Sequence, residues 1–201
     1  MRSVSKLLPV LGDTGLGLIA ASIVISFFGG PYTPLFVIWV VLWNYLPDLD
    51  GAIHFVRTGY LVADREEGRD HREGLHYPLA WFLMLGIFIY AYGLNPWLAG
   101  SLLAIIFHFA HDTVGVGWGV QLFMPFDKGS YRLFSKKWVS ADISLHPLVT
   151  RYSPDELKKA IKELGESDWI EKYFCKLTLV SIIDYSLFAL GVVTICFVFF
   201  A

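Results

Sequence analysis

The sequence predicts an all-α membrane protein, a polytopic bundle of about five transmembrane helices, and three observations predict it. The 201-residue chain is 55% hydrophobic and 17% charged, with a mean hydropathy of +0.54, too apolar for an ordinary soluble surface. Five apolar stretches, at about 10–29, 34–47, 78–93, 97–111 and 177–201, have lengths near or somewhat below the roughly 20 residues that cross a bilayer. The Lys and Arg residues are segregated between them: Arg2 and Lys6 precede the first stretch, four lie in 48–77 and ten in 112–176, while 30–33, 94–96 and the C-terminal tail carry none. The positive-inside rule then places the N-terminus and both long loops in the cytoplasm, and five spans put the C-terminus outside a multi-pass inner (cytoplasmic) membrane.

Each element has its own justification. Arg2 and Lys6 before an apolar run also open a signal peptide, but no small-residue cleavage site follows before Gly29-Gly30-Pro31, so the segment reads as an uncleaved first span. The second stretch is short, contains Asn44 and ends at Pro47, which disfavours helix at Leu46; its start is expected within Gly29–Thr33. The third and fourth are separated only by the connection at 94–96. The long loop after them contains one soluble-looking helix opening at Ser153-Pro154-Asp155-Glu156, where Ser caps, Pro takes the first helical position and Glu completes a capping box; Gly165 ends it. Its Lys158, Lys159 and Lys162 read as a solvated face in preference to a contact with anionic headgroups. The chain thus divides into a membrane domain at 1–125, a cytoplasmic loop at 126–176 and a C-terminal transmembrane helix at 177–201.

Several function classes fall away. A net charge of −2 and a pI near 6.3 exclude the basic footprint of a nucleic-acid binder, and the apolar content excludes intrinsic disorder. If Cys175 and Cys196 lie on one helix they stand roughly 31 Å apart at about 1.5 Å per residue and form no intrachain disulfide there.

Three polar clusters are expected at one membrane face, where the second, third and fourth spans have their cytoplasmic ends. In Leu46-Pro47-Asp48-Leu49-Asp50-Gly51, Pro47 favours extended chain, so both carboxylates can face one ion; alone, the segment reads more readily as a polar turn. In Asp70-His71-Arg72-Glu73-Gly74-Leu75-His76 the imidazoles converge only if Gly74 breaks the segment, and Arg72 suits phosphate oxygens. In His108-Phe109-Ala110-His111-Asp112 the spacing is helical, which puts all three ionisable groups on one face, and metal ligation explains them better than packing does. Gly115, Gly117 and Gly119 suggest a tight loop over the site. Asp184, in the last span, reads as a structural partner for a neighbouring helix or for Lys176, while His54 and His146 rank as unlikely ligands. His71 to His76 has the wrong spacing for the His-Glu-x-x-His helix of intramembrane metalloproteases, and no Gly-x-Ser-x-Gly elbow occurs.

On these clusters the chain resembles the family of membrane-bound metal-dependent hydrolases, small polytopic inner-membrane proteins, over roughly residues 10–125. That family carries Leu-Pro-Asp-x-Asp after an early span, then His-Arg-Gly-x-x-His, then His-x-x-x-Asp near a loop with Gly and Pro. The resemblance implies Asp48, Asp50, His71, His76, His108 and Asp112 as metal ligands, with Arg72 beside them. Glu73 stands where the family has Gly, and Tyr77 follows His76 where a small hydroxyl residue is usual. The family places a His four before a Gly in its first span; here Asp13 precedes Gly17 at that spacing and substitutes as an oxygen ligand. His111 is a further candidate. The ligand set also looks like that of zinc-dependent phospholipase C and P1-type nucleases, which suggests phosphoester hydrolysis.

The expectation is therefore a hydrolase with a cytoplasmic-side site for a divalent ion, Zn²⁺ before Mn²⁺ or Mg²⁺. Arg72 stabilises developing charge and Asp50, if not saturated by metal, accepts a proton. The substrate is a lipid or lipid-linked phosphoester entering from the bilayer, or a soluble one. Two rival classes are a metal or proton transporter with a relay through His108, His111, Asp112 and Asp184, and a membrane scaffold with a structural metal whose 126–176 loop recruits partners.

Overall fold

The computed structural model describes residues 8–58, 63–64, 68–70, 72, 74–114, 117–134, 147–164 and 169–200. Helix α1 (Val10–Phe28) stops at Gly29, whose left-handed φ of 62° lets the cap N–H reach Val24 O. Helix α2 (Pro34–Tyr45) starts with Pro at its first turn and Thr33 as cap, the threonine hydroxyl accepting from Phe36 N at 3.3 Å. This local chemistry sets the start at Pro34, where the apolar stretch begins, and not within Gly29–Thr33. There follow α3 (Leu49–Thr58), the strands β1 (Ala63–Asp64) and β2 (Arg69–Asp70), α4 (Pro78–Tyr92) and α5 (Pro96–Val114). The chain ends with β3 (Ser130–Leu133), β4 (Val149–Tyr152), α6 (Pro154–Leu164), α7 (Trp169–Tyr173) and α8 (Leu179–Phe200).

Among the described residues, α1, α5 and α8 are long and apolar enough to cross a membrane; α2 and α4 are apolar but shorter. At about 1.5 Å per residue their 12 and 15 residues reach roughly 18 and 22 Å, short of a ~30 Å hydrocarbon core. The architecture is mostly helical, in keeping with an all-α membrane protein, and two small antiparallel pairs are added to it. These are β1 with β2 and β3 with β4, the second in the register Ser130↔Tyr152 to Leu133↔Val149. Among its described residues the 126–176 segment therefore contains an antiparallel strand pair and two helices where the sequence showed one helix. That helix matches its capping signal: Ser153 N donates to Glu156 Oε2 at 2.9 Å, and Glu156 N to Ser153 Oγ at 3.4 Å.

Helix α1 lies against α8, α2 and α5, and small residues bring the backbones together. A Cβ on Gly15 would strike the α8 backbone at Leu187, and one on Gly191 would lie 2.5 Å from Gly15 O. The apolar core between these helices includes Ala20, Ala21, Val24, Ile25, Phe36, Val40 and Ala104. Where α2 meets α5, Asn44 Nδ2 donates to Ala104 O and Trp39 Nε1 to Ser101 Oγ, both at 3.1 Å. Tyr45 Oη donates to Val10 O at 2.7 Å, so the C-terminal end of α2 sits beside the N-terminal end of α1.

Candidate metal centre

The chain after α2 does not run extended. Asp48 N bonds Tyr45 O at 3.1 Å and Gly51 N bonds Asp48 O at 2.9 Å, so Pro47 sits in a turn that opens directly into α3. This overturns the expectation that Asp48 and Asp50 point the same way. The turn sends the two carboxylates to opposite ends of one imidazole: Asp48 Oδ1 lies 3.5 Å from His76 Nε2, and Asp50 Oδ2 lies 2.7 Å from His76 Nδ1. His76 itself is placed by a bend at Gly74 (φ 96°), by Trp81 Nε1 donating to Leu75 O at 2.6 Å, and by Pro78 opening α4.

Helix α5 supplies the rest from its C-terminal end. His108 Nε2 lies 3.4 Å from His76 Nε2 and 3.9 Å from Asp48 Oδ1, so these three atoms converge on one point. Asp112 Oδ2 approaches the two Nε2 atoms at 3.1 Å (His76) and 3.4 Å (His108), while its Oδ1 takes the Arg72 Nη2 donor at 2.9 Å. Arg72 Nη1 donates to Gly119 O at 3.1 Å. Gly119 has φ 79°, and a Cβ there would collide with Tyr131 O, so the glycine-rich turn does close over the arginine. Gly115 lies outside the described residues.

The donor set fits a metal ion. A tetrahedral Zn²⁺ with bonds of ~2.0–2.1 Å needs ligand atoms about 3.3–3.4 Å apart, close to the 3.4, 3.5 and 3.9 Å edges among His108, His76 and Asp48. With Nδ1–H donating to Asp50, the His76 Nε2 lone pair faces the shared point, the carboxylate–histidine arrangement of metal sites. Asp50 Oδ1 is buried with no hydrogen bond among the described residues, and four carboxylates, of Asp13, Asp48, Asp50 and Asp112, surround a pair of imidazoles that are each 1% exposed. Burial opposes charge on His76, yet Asp112, Asp48 and Asp50 hold its pKa well above the ordinary histidine value; the field that favours a proton on the ring favours a cation beside it.

A family model described as YdjM inner membrane protein matches residues 9–197. The chain belongs to this family. No match is found among curated proteins or among solved structures. The YdjM family description agrees with the apolar helices in making the chain a membrane protein, and it names no activity.

In this YdjM-family chain the predicted site residues separate into three groups. Asp48, His76 and His108 meet at the shared point, and Asp112, bound to Arg72, stands beside the two imidazoles. Asp50 and Asp13 lie behind the imidazoles: Asp50 on His76 Nδ1, and Asp13 Oδ1 3.7 Å from His108 Nδ1. Neither carboxylate reaches the ligand-facing Nε2 atoms, so the position of Asp50 suits holding a ring and gives no support to its taking a proton from substrate. His71 and His146 lie outside the described residues. His111 faces away from the shared point, its Nδ1 3.2 Å from Asp13 Oδ1 and its Nε2 3.0 Å from Asp184 Oδ1. At about 100° per residue, positions i+3 and i+4 flank position i on opposite sides, so Asp112 and His111 fan out from His108 and do not share its target.

Asp184 has the structural role that the sequence suggested, joining α8 to α5 through His111. The signal for this buried string, Asp184–His111–Asp13–His108, was the presence of two acids inside apolar runs; which imidazole they serve was not written in any spacing.

Proposed function

We propose that the chain is a membrane-bound, metal-dependent phosphoester hydrolase whose ion is held by Asp48, His76 and His108, with Asp112 as a fourth donor. The observation that carries the reading is the convergence of two Nε2 atoms and a carboxylate oxygen at spacings close to those of a tetrahedral ion. Imidazole donors favour Zn²⁺ over Mg²⁺, with Mn²⁺ between. A divalent ion there supplies Lewis acidity, acidifying water and withdrawing charge from a phosphoryl oxygen.

The residues do the remaining work. Asp50 orients the His76 imidazole from behind through a hydrogen bond, and Asp13 stands 3.7 Å behind His108. Asp112 and the Gly119 carbonyl hold the Arg72 guanidinium beside the ion, where it receives the charge that develops on a phosphoryl group. The resemblance to membrane-bound metal-dependent hydrolases agrees with this reading, and the membrane setting favours a lipid or lipid-linked phosphoester over a soluble one. In the same reading α2 and α4 complete five spans, with the site and the 126–176 loop cytoplasmic and the C-terminus outside.

The test is elemental analysis of the purified full-length protein, followed by a hydrolysis screen over phospholipids, lipid-linked phosphates and soluble phosphoesters. Stoichiometric zinc and turnover that both fail in His76→Ala and His108→Ala support the proposal; wild-type metal content in those variants ends it. One observation favours a second reading, transport of a metal ion or protons: the buried Asp184–His111–Asp13–His108 string passes through three packed helices. Metal binding without turnover, with ion flux in proteoliposomes, would select it.

A further inference from the structure

Beside the metal centre, between α6 and the turn at 117–121, the protein has a partly open pocket of about 180 Å³. That is several times the ~30 Å³ share of a liquid water molecule, ample for a small polar group. Its walls include Arg72, Trp118, Gly119, Gln121, Ser130 and Lys158. We propose that this pocket is an anion subsite, and that the ligand of the protein carries two phosphate-type groups, one at the metal and one here, with Arg72 in the wall between them. The identity of the ligand rests on the phosphoester reading above; the anion preference of the pocket does not.

Charge is the first argument. Among the described residues that line the pocket, two are cations and none is a carboxylate. Lys158 forms no ion pair among the described residues, unlike Lys159 on the same helix, which lies 3.9 Å from Glu163. A third cation stands close behind: Arg132 is fully buried on the same face of β3 as the lining residue Ser130, near enough to Arg72 for the two guanidinium charges to oppose each other. Arg72 is shared with Asp112 and Arg132 stands outside the lining, so the positive potential of the pocket comes from Lys158 with part of Arg72, and a phosphate satisfies it.

Position is the second. Arg72 bonds Asp112 with Nη2 and Gly119 O with Nη1, and Gly119 itself lines the pocket. The guanidinium therefore belongs to both spaces. The wall contributed by α6 lies outside the helices that are long and apolar enough to cross a membrane, and the buried Trp118 and Ile161 also line the pocket. Such a space takes a hydrated headgroup or a water-soluble phosphate. A single phosphoester would leave it unused, whereas a diphosphate or a bisphosphate ester would fill it.

The experiment is calorimetric titration of inorganic pyrophosphate into the full-length protein in detergent, both zinc-loaded and stripped of metal by chelation. The zinc-free protein is expected to bind pyrophosphate. Lys158→Glu, an exposed change on α6, should weaken that binding by about tenfold or more, as expected on losing a charge-assisted contact. Lys158→Arg should retain it, and zinc content should be unchanged in both. Equal affinity in Lys158→Glu and wild type, or pyrophosphate binding only when zinc is present, overturns the subsite. Absence of zinc in the wild type would instead overturn the metal reading and leave the pyrophosphate result to stand by itself. Nanodiscs of phosphatidylcholine doped with phosphatidic acid identify the source: displacement of pyrophosphate assigns the pocket to a lipid headgroup, and persistence assigns it to a soluble phosphate.

Discussion

Asp50→Ala separates an orienting carboxylate from a metal ligand. Asp50 Oδ2 lies 2.7 Å from His76 Nδ1, both residues are at least 95% buried, and the carboxylate does not reach the Nε2 side of the ring. Removing it leaves His76 in place, because the ring also packs edge-on against Phe109 at 6.1 Å and beside His108 at 5.4 Å between centroids. What is lost is the selection of the tautomer that turns the Nε2 lone pair towards the ion. Loss of such an outer carboxylate weakens metal binding by about 10–100-fold, or about 1.4–2.8 kcal/mol. Deleting a donor by His108→Ala should cost more than this and reduce stoichiometry. Zinc affinity, measured by competition with a chromophoric chelator on detergent-purified protein, reads both; Asp50→Asn, which keeps an acceptor for Nδ1–H, should fall between wild type and Asp50→Ala. If Asp50→Ala matches His108→Ala, Asp50 is itself a ligand and does not act from behind the ring. If Asp50→Ala binds zinc like the wild type, the hydrogen bond has no orienting role.

Four further outcomes follow from particular contacts. Arg72→Lys should keep zinc and lose most turnover, since an ammonium cannot hold Asp112, the Gly119 carbonyl and a phosphoryl group together; loss of zinc in this variant would make Arg72 part of the scaffold. Gly15→Leu should drive a side chain into the α8 backbone, costing about 1–3 kcal/mol or more and lowering the melting temperature in detergent; an unchanged melting temperature would refute the close crossing at Gly191. Arg151, the Tyr131 hydroxyl and the Gly129 N–H hold the Asp127 carboxyl well below its usual range, so this latch is present above about pH 4 and is lost only as pH falls through the depressed pKa. Limited proteolysis of the wild type should then be constant from pH 7 towards pH 4 and faster in Asp127→Asn throughout. For topology, cysteines replacing Tyr32 and Leu94, in a background without Cys175 and Cys196, should react with an impermeant thiol reagent in intact cells, and one replacing Lys159 only after lysis; labelling of Tyr32 and Leu94 on opposite sides would remove α2 or α4 from the spans.

Much of this protein was determined along the chain itself. Apolar runs gave the positions of α1, α4, α5 and α8, because a helix that faces lipid or a helical core must be apolar over its whole length. Ser153 with Glu156 gave the start of α6, because a capping box satisfies backbone donors within a single turn. The i, i+4 pair His108 and Asp112 was legible for the same reason: 3.6 residues per turn is a local rule. Tertiary structure alone decided the rest. The turn at Pro47 sent Asp48 and Asp50 to opposite nitrogens of His76, a relation set by where α4 begins against the end of α5 and absent from the spacing of the two acids. His111 was drawn from the shared point to Asp13 and Asp184 because α1 and α8 cross closely at Gly15 and Gly191, 176 positions apart in the sequence. The pocket at Arg72 and Lys158 arises in the same way, from β3, α6 and a glycine turn meeting behind one guanidinium. Periodicity reports which face of an element is apolar; which side chains face one another across elements depends on how the helices pack, and no local pattern encodes that.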